Sequence, residues 1–295
     1  MKKADIKIGF LCNNNCRFCV QANKKKYGNR STNEIKKILK QSSANYQIAV
    51  FTGGEPTIRD DIFELVNYAK KLGFKIIQIQ SNGRMFAYRD FCQKIIKAGA
   101  NEFALALHGH IPQLHNYLTN SQESFEQTCL GIKNLKKMNQ NVIMNTVITK
   151  PNYRHLPEIA KLFINLRVDQ YQFAFVHALG NAAKNFDSIV PRKSLVQPYL
   201  KQGLRLGIEA GIKVMTEAIP FCFMGGYEHY LAENVMPHMK IYDFGLTVEN
   251  FEKARRREGK TKGLQCKQCR YFDQCEGPWK EYPAKFGWEE FKPIR

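Results

Sequence analysis

From the N-terminus to about residue 210, short runs rich in β-branched and aromatic residues alternate with longer amphipathic segments. Few folds are open to a chain patterned this way. Parallel strands need a crossover of a dozen or more residues between them, usually a helix, so the alternation predicts repeated βα units around a parallel sheet. Strands are expected near DIKIGFL, QIAVFTG, KIIQIQS, EFALALH, NVIMNTVI and QYQFAFV. The segments TNEIKKILKQ, IFELVNYAKKLG, FEQTCLGIKNLKKM and LPEIAKLFINL repeat apolar residues at helical spacing and are long enough to cross back over the sheet. Six βα units result, and a further helix, VQPYLKQGLRLGIEAG, closes the series.

The pattern changes from about residue 212: a short strand-like KVMTEAI, several glycines and prolines, then a Lys/Arg-rich helix leading to clustered cysteines. Residues 1–211 and 212–295 are therefore expected to form two domains. No apolar run approaches the length needed to span a membrane, and Asp5 and Lys7 interrupt what would be the core of a signal peptide, so a cytoplasmic location is expected. The 45 Lys and Arg against 26 Asp and Glu give a net charge of +19. Such a surface attracts RNA, acidic peptides, phosphorylated metabolites and anionic headgroups alike, or is simply a solvated face.

Nine cysteines in a reducing compartment point to metal rather than to disulfides. Cys92 and Cys129 stand alone in helical patterns, where a thiol acts as a small buried hydrophobe. The other seven are clustered. Cys12, Cys16 and Cys19 follow the first strand directly, which places them in a loop at the carboxyl end of the sheet, where α/β folds gather their active sites. Three thiols suit an iron–sulfur cluster with one open iron; a zinc site would need a distant fourth ligand, and spacing alone leaves both open.

The CxxxCxxC spacing with Phe18 before the last cysteine resembles the signature of the radical S-adenosylmethionine (SAM) superfamily. The second strand ends in Thr52-Gly53-Gly54-Glu55-Pro56, similar to the family's GGEP motif, and the third in Gln80-Ser81-Asn82-Gly83. The resemblance implies a partial (β/α)6 TIM-like barrel of parallel strands. It also implies a [4Fe-4S] cluster on Cys12, Cys16 and Cys19 whose open iron is chelated by SAM. Reductive cleavage of SAM then yields a 5′-deoxyadenosyl radical that abstracts hydrogen from a substrate. By the same resemblance Gly53, Gly54 and Glu55 hold the amino group of SAM, while Phe18, Ser81, Asn82, His108 and Asn145 lie against the cofactor. An electron donor such as a flavodoxin or ferredoxin is implied as partner.

A second group reads Cys266-Lys267-Gln268-Cys269 and then Cys275, with Cys222 as the obvious fourth ligand. It is similar to the SPASM or twitch region of radical SAM enzymes, and the count favours a small twitch-like domain with one auxiliary [4Fe-4S] cluster. A four-thiolate zinc ribbon uses the same residues. The aromatic tail of Trp279, Tyr282, Phe286, Trp288 and Phe291 is expected to pack this small lobe onto the barrel. The leading expectation is an enzyme acting on a ribosomally made peptide or a small polar metabolite. The alternatives are a non-catalytic iron–sulfur or zinc protein that binds RNA through a basic face, and a radical SAM enzyme that modifies RNA.

Overall fold

The computed structural model describes residues 1–295. Each of the six expected strands forms: β1 (Lys3–Gly9), β2 (Ile48–Gly53), β3 (Ile76–Ser81), β4 (Glu102–Ala106), β5 (Asn141–Ile148) and β6 (Gln170–Phe175). The helices between them are α1 (Thr32–Ser43), α2 (Ile62–Lys71), α3 (Arg89–Ala98), α4 (Pro112–Thr119), α5 (Ser124–Lys137) and α6 (Leu156–Asn165). The short helices α7 (Asn181–Lys184) and α8 (Phe186–Ile189) lead into the long α9 (Lys193–Glu209). Consecutive strands are neighbours and parallel, as right-handed βα units require.

The sheet does not stop at the expected boundary. β7 (Lys213–Glu217) pairs in parallel with β6, while β8 (Met239–Asp243) returns to the other edge and pairs in parallel with β1. An antiparallel strand, β9 (Leu246–Val248), completes the order β7-β6-β5-β4-β3-β2-β1-β8-β9. The sheet is curved like a partial barrel and not closed, and residues 212–248 contribute to it from both edges. Past β9 the α-helices are the short α10 (Phe251–Ala254) and α11 (Glu281–Phe286), and the expected Lys/Arg-rich helix amounts to α10 and one π turn at Arg255–Gly259. No helix is long and apolar enough to cross a membrane.

Alternation along the strands divides the two faces. On β1, Ala4, Ile6 and Ile8 are buried against the helices, whereas Lys3, Asp5 and Lys7 line the concave side. The helix-facing core joins Ile35 and Leu39, Leu65 and Val66, Ile95, Leu135, Phe163 and Leu204 to the outward residues of β1 to β8. Cys92 is part of it, its thiol against the Phe86 carbonyl. The aromatic tail does dock the C-terminal lobe: Tyr282 packs on Phe175, Trp279 on His177 and Phe286 on Phe186.

α9 reaches β6 and β7 closely because Gly203 and Gly207 flatten one face of it. A Cβ at Gly207 would lie 2.2 Å from the Tyr171 hydroxyl and 2.4 Å from Val214 Cγ1. In an open helix, replacing glycine by alanine gains roughly 0.5–1 kcal/mol; here overpacking, at about 1–3 kcal/mol, outweighs it. Gly207→Ala is therefore expected to lower stability by about 1–2 kcal/mol in urea unfolding, and a variant at or above wild-type stability would refute this packing account.

Candidate active site and second cysteine cluster

The first cysteine loop leaves β1 at the carboxyl edge of the sheet and is tied down along its length. Asn15 and Arg17 backbone N–H groups donate to the Thr119 and Leu118 carbonyls at the end of α4, at 3.1 and 2.9 Å. Arg84 donates to the Asn13 carbonyl and to Asn14 Oδ1 at 2.8 and 2.9 Å. From the far side Asn181 donates through its side chain to the Cys16 carbonyl and through its backbone to that of Cys19, both at 2.9 Å. Asn185 donates to the Arg17 carbonyl. Sequence reasoning missed Arg84, Asn181 and Asn185: they sit at the ends of short helical turns remote from the cysteines in sequence, and the only signal was their polar character.

Gly53 and Gly54 carry β2 against the stem of this loop. Gly54 N–H and Glu55 N–H donate to the Gly9 and Leu11 carbonyls at 2.8 Å each, and a Cβ at either glycine would fall about 2 Å from one of these oxygens. The close approach served by the glycine pair is thus to the chain's own cysteine loop. Glu55, 3% exposed, is a hub. Its Oε1 accepts from Thr57 N–H at 3.0 Å, Thr57 Oγ1 at 2.6 Å and Ser81 Oγ at 2.8 Å, and its Oε2 from Asn82 N–H at 2.7 Å. Burial pushes this carboxyl above the usual carboxylate range, and the four donors pull against it.

His108, at the end of β4, is buried beneath Phe18, with ring centroids 4.7 Å apart. Its Nδ1 accepts from the Val147 N–H at 3.1 Å, which leaves the proton on Nε2. Burial lowers its pKa to about 3, so the ring is a neutral donor with a fixed tautomer. Asn145 on β5 is buried at Oδ1, and that atom has no partner in the protein.

Cys12, Cys16, Cys19, Phe18, Gly53, Gly54, Glu55, Ser81, Asn82, His108 and Asn145 all line one cavity of about 590 Å3 at the carboxyl ends of the strands. Residues spread over 134 positions of sequence thus meet at one place. The Cys12 thiol is pushed up to about 11 by burial and the nearby Glu55; Cys16 is raised further by burial and by Cys19 and Cys12. Such thiols ionise only if a cation takes the charge. A second cavity of about 950 Å3 covers the concave face and shares Lys7, Gln78, Gln80, Gln172, His177 and Glu217 with the first. Four glutamines, Gln78, Gln80, Gln170 and Gln172, stand on its wall among apolar side chains such as Ile143 and Met215.

Cys222, Cys266, Cys269 and Cys275 line a separate small pocket closed by Phe221, Phe272 and Phe291. Burial, then Cys275, Cys266 and Cys269, push the Cys222 thiol up to about 12. Phe221 and Gly277 backbone N–H groups favour the thiolate of Cys275, against the burial that raises it. No three His, Cys, Asp or Glu side chains in the molecule converge closely enough to share a single ion.

Comparison with known proteins agrees with this geometry. The family model described as "Radical SAM superfamily" matches residues 6–163. The chain is 25% identical over 313 aligned residues to an AdoMet-dependent heme synthase of Methanosarcina barkeri, covering 90% of this chain and 87% of that one. A heme synthase of Oleidesulfovibrio alaskensis is 30% identical over 176 residues; the match spans 59% of this chain and only 45% of that relative's length. Among solved structures, Streptococcus suis SuiB bound to S-adenosylmethionine superposes with a TM-score of 0.69 at 17% identity, covering 99% of this chain and 76% of SuiB. The peptide- and AdoMet-bound anSMEcpe gives 0.68 at 17% identity, covering 95% and 90%. With the family match spanning the cysteine loop, the glycine pair and the first five strands, the chain belongs to the radical SAM superfamily and is an enzyme of that class.

Proposed function

We propose that this enzyme modifies a peptide, holding SAM and one [4Fe-4S] cluster in the cavity at the strand ends and a second [4Fe-4S] cluster on Cys222, Cys266, Cys269 and Cys275. The observation that carries the substrate reading is the row of glutamines along the concave wall. Gln78, Gln80, Gln170 and Gln172 line the large cavity together with Lys7 and Glu217; Gln78 donates to Glu102, Gln80 to Gln78 and Gln172 to Glu217, and each amide keeps further donor or acceptor capacity for the amides of a peptide. Likeness of fold to SuiB bound to its precursor peptide SuiA, with a TM-score of 0.67, supports the same reading.

The residues fit the cofactors. Three half-buried thiols offer thiolates to three irons, and the unpartnered Asn145 Oδ1 offers an acceptor to a hydroxyl or ammonium in the same cavity. When bound, SAM and its cluster supply the 5′-deoxyadenosyl radical that takes a hydrogen atom from substrate. Glu55 would accept from the SAM ammonium at Oε2, which has one protein donor against three at Oε1. His108 would donate through Nε2, and Phe18 holds that ring in place and excludes water. The four thiols around one pocket meet the ligand set of a [4Fe-4S] cluster and of a structural zinc alike, and the iron–sulfur chemistry of the first site favours the cluster at the second centre. The division near residue 211 is then one of labour: residues 1–211 hold SAM, and residues 212–295 hold the second cluster while also extending the sheet.

Anaerobically reconstituted protein is expected to bind about eight irons per chain. Replacing Cys12, Cys16 and Cys19 by alanine removes one half, and Cys222→Ala perturbs the other. Stoichiometric zinc without acid-labile sulfide would end the two-cluster reading. Glu55→Gln is expected to weaken SAM binding by roughly tenfold to a hundredfold, the worth of a charge-assisted hydrogen bond, with iron content unchanged; wild-type affinity would reduce Glu55 to a purely structural hub. For the substrate, reduced enzyme is incubated with SAM and the short peptides encoded beside its gene. Faster 5′-deoxyadenosine release together with a mass change in one peptide is expected. Acceleration by GTP or a tetrapyrrole, and by no peptide, would overturn the peptide assignment.

A further inference from the structure

Lys193, the first residue of α9, is 1% exposed, and no carboxylate stands within ion-pair distance of its ammonium. Burying a cation in this way is unfavourable unless charge of the opposite sign lies close by. The contacts it does make are weak. Of its three N–H groups, one donates to the Ala218 carbonyl at 3.0 Å; otherwise Nζ sits 3.1 Å from the centre of the Phe175 ring and 4.9 Å from that of Tyr282. The two carboxylates that face it from farther away are engaged elsewhere. Glu290 accepts from Tyr282 Oη and Ser194 N–H; Glu233 accepts from Ala218 N–H and stands 4.0 Å from Lys260, itself a second buried cation. Burial and Lys260 pull Lys193 well below the ordinary lysine range while Glu290, Cys222 and Glu233 pull it back up, so its ammonium form depends on further negative charge close by.

The remaining source of negative charge is the four-cysteine pocket. Ala218, which takes the Lys193 hydrogen bond, has a left-handed backbone with φ of 60°, and it begins the segment Ala218-Ile219-Pro220-Phe221-Cys222 that delivers the first of the four thiols. A lysine spent on a backbone carbonyl there is costly, since any polar side chain of similar reach would serve. Four thiolates around a cluster leave that centre with net negative charge in a buried site, and a fixed cation beside such a centre favours the form with one more electron.

We propose that Lys193 is the resident counter-charge of the four-cysteine centre and raises its reduction potential. This rests on the reading of that centre as a second iron–sulfur cluster. Lys193 touches neither ligand nor substrate; it is a positioning residue acting through charge.

The test is redox titration of both clusters, followed by electron paramagnetic resonance, on reconstituted wild type, Lys193→Met and Lys193→Arg. At the wild-type midpoint of the second cluster, Lys193→Met is expected to cut the ratio of reduced to oxidised centre about tenfold, equivalent to about 59 mV for one electron. The SAM-binding cluster keeps its midpoint, and Lys193→Arg restores the potential of the second. If Lys193→Met does not fold, Lys193→Gln keeps a donor for Ala218 and loses the charge, and the same downward shift is expected of it. An unchanged potential in a folded, eight-iron, charge-free variant would overturn the proposal and leave Lys193 as a pin for Ala218. Wild-type protein with only four irons would instead remove the second cluster, and this inference with it.

Discussion

The candidate site depends on one buried carboxylate. Glu55 draws Thr57 N–H and Oγ1, Ser81 Oγ and Asn82 N–H onto its two oxygens, and its own N–H reaches back to the Leu11 carbonyl. Three pieces of chain are fixed by that one residue: its side chain ties the end of β2 to the end of β3, and its backbone N–H holds the stem of the cysteine loop. A buried carboxylate so fully satisfied is stable where an unsatisfied one would be costly, and the glycines before it let the backbones meet at the distance the bonds require. The cysteines are then presented from a scaffold, and do not hang from a free loop.

The C-terminal lobe depends on the barrel in a different way. It has few regular elements, and its cysteines lie in short turns at Phe221–Phe223 and Leu264–Gln268 and the loop beyond. What holds it is aromatic packing on the ends of β6 and α8, and one buried ion pair in which Arg255 donates twice to Glu276 at 2.7 Å. With the side chains of that pair 1% and 3% exposed, removing either partner would strand a buried charge, so the pair specifies a geometry more than it adds stability. His177, flat against Trp279 at 3.9 Å and bonded to Glu281 at 3.2 Å, joins this lobe to the wall of the large cavity. The four-cysteine pocket and the SAM-side cavity are thus parts of one packed body.

Much of this was legible in the residues. The six strands and the helices between them follow from periodicity, since a parallel sheet buried on its outer face needs Ile6, Phe51, Ile79 and Phe103 at alternate positions whatever lies elsewhere in the chain. The grouping of Cys12, Cys16 and Cys19 with Gly53, Gly54 and Glu55 was legible because strand ends of consecutive βα units must fall side by side. β8 and β9 were not legible, because a five-residue strand whose partner β1 lies more than two hundred positions away, and a three-residue strand at the sheet edge, carry little local pattern. Nor was α4, whose eight residues open on Ile111-Pro112 and resemble a loop.

The sequence by itself determined the kind of chemistry, because cysteine spacing and the turn residues at strand ends are local and bind cofactor within one or two βα units. Only the tertiary structure decided the rest. It set the tautomer of His108, through a Val147 N–H that arrives from the next strand, and it left Asn145 Oδ1 without a partner inside the cavity. It brought Cys222 to three thiols more than forty residues later, and it buried Lys193 beside the segment that carries Cys222. The physical reason is the same in each case. Burial and hydrogen-bond satisfaction are properties of a residue's neighbours in space, and in a sheet whose last strands return to the edge of the first, those neighbours are set by closure of the whole chain.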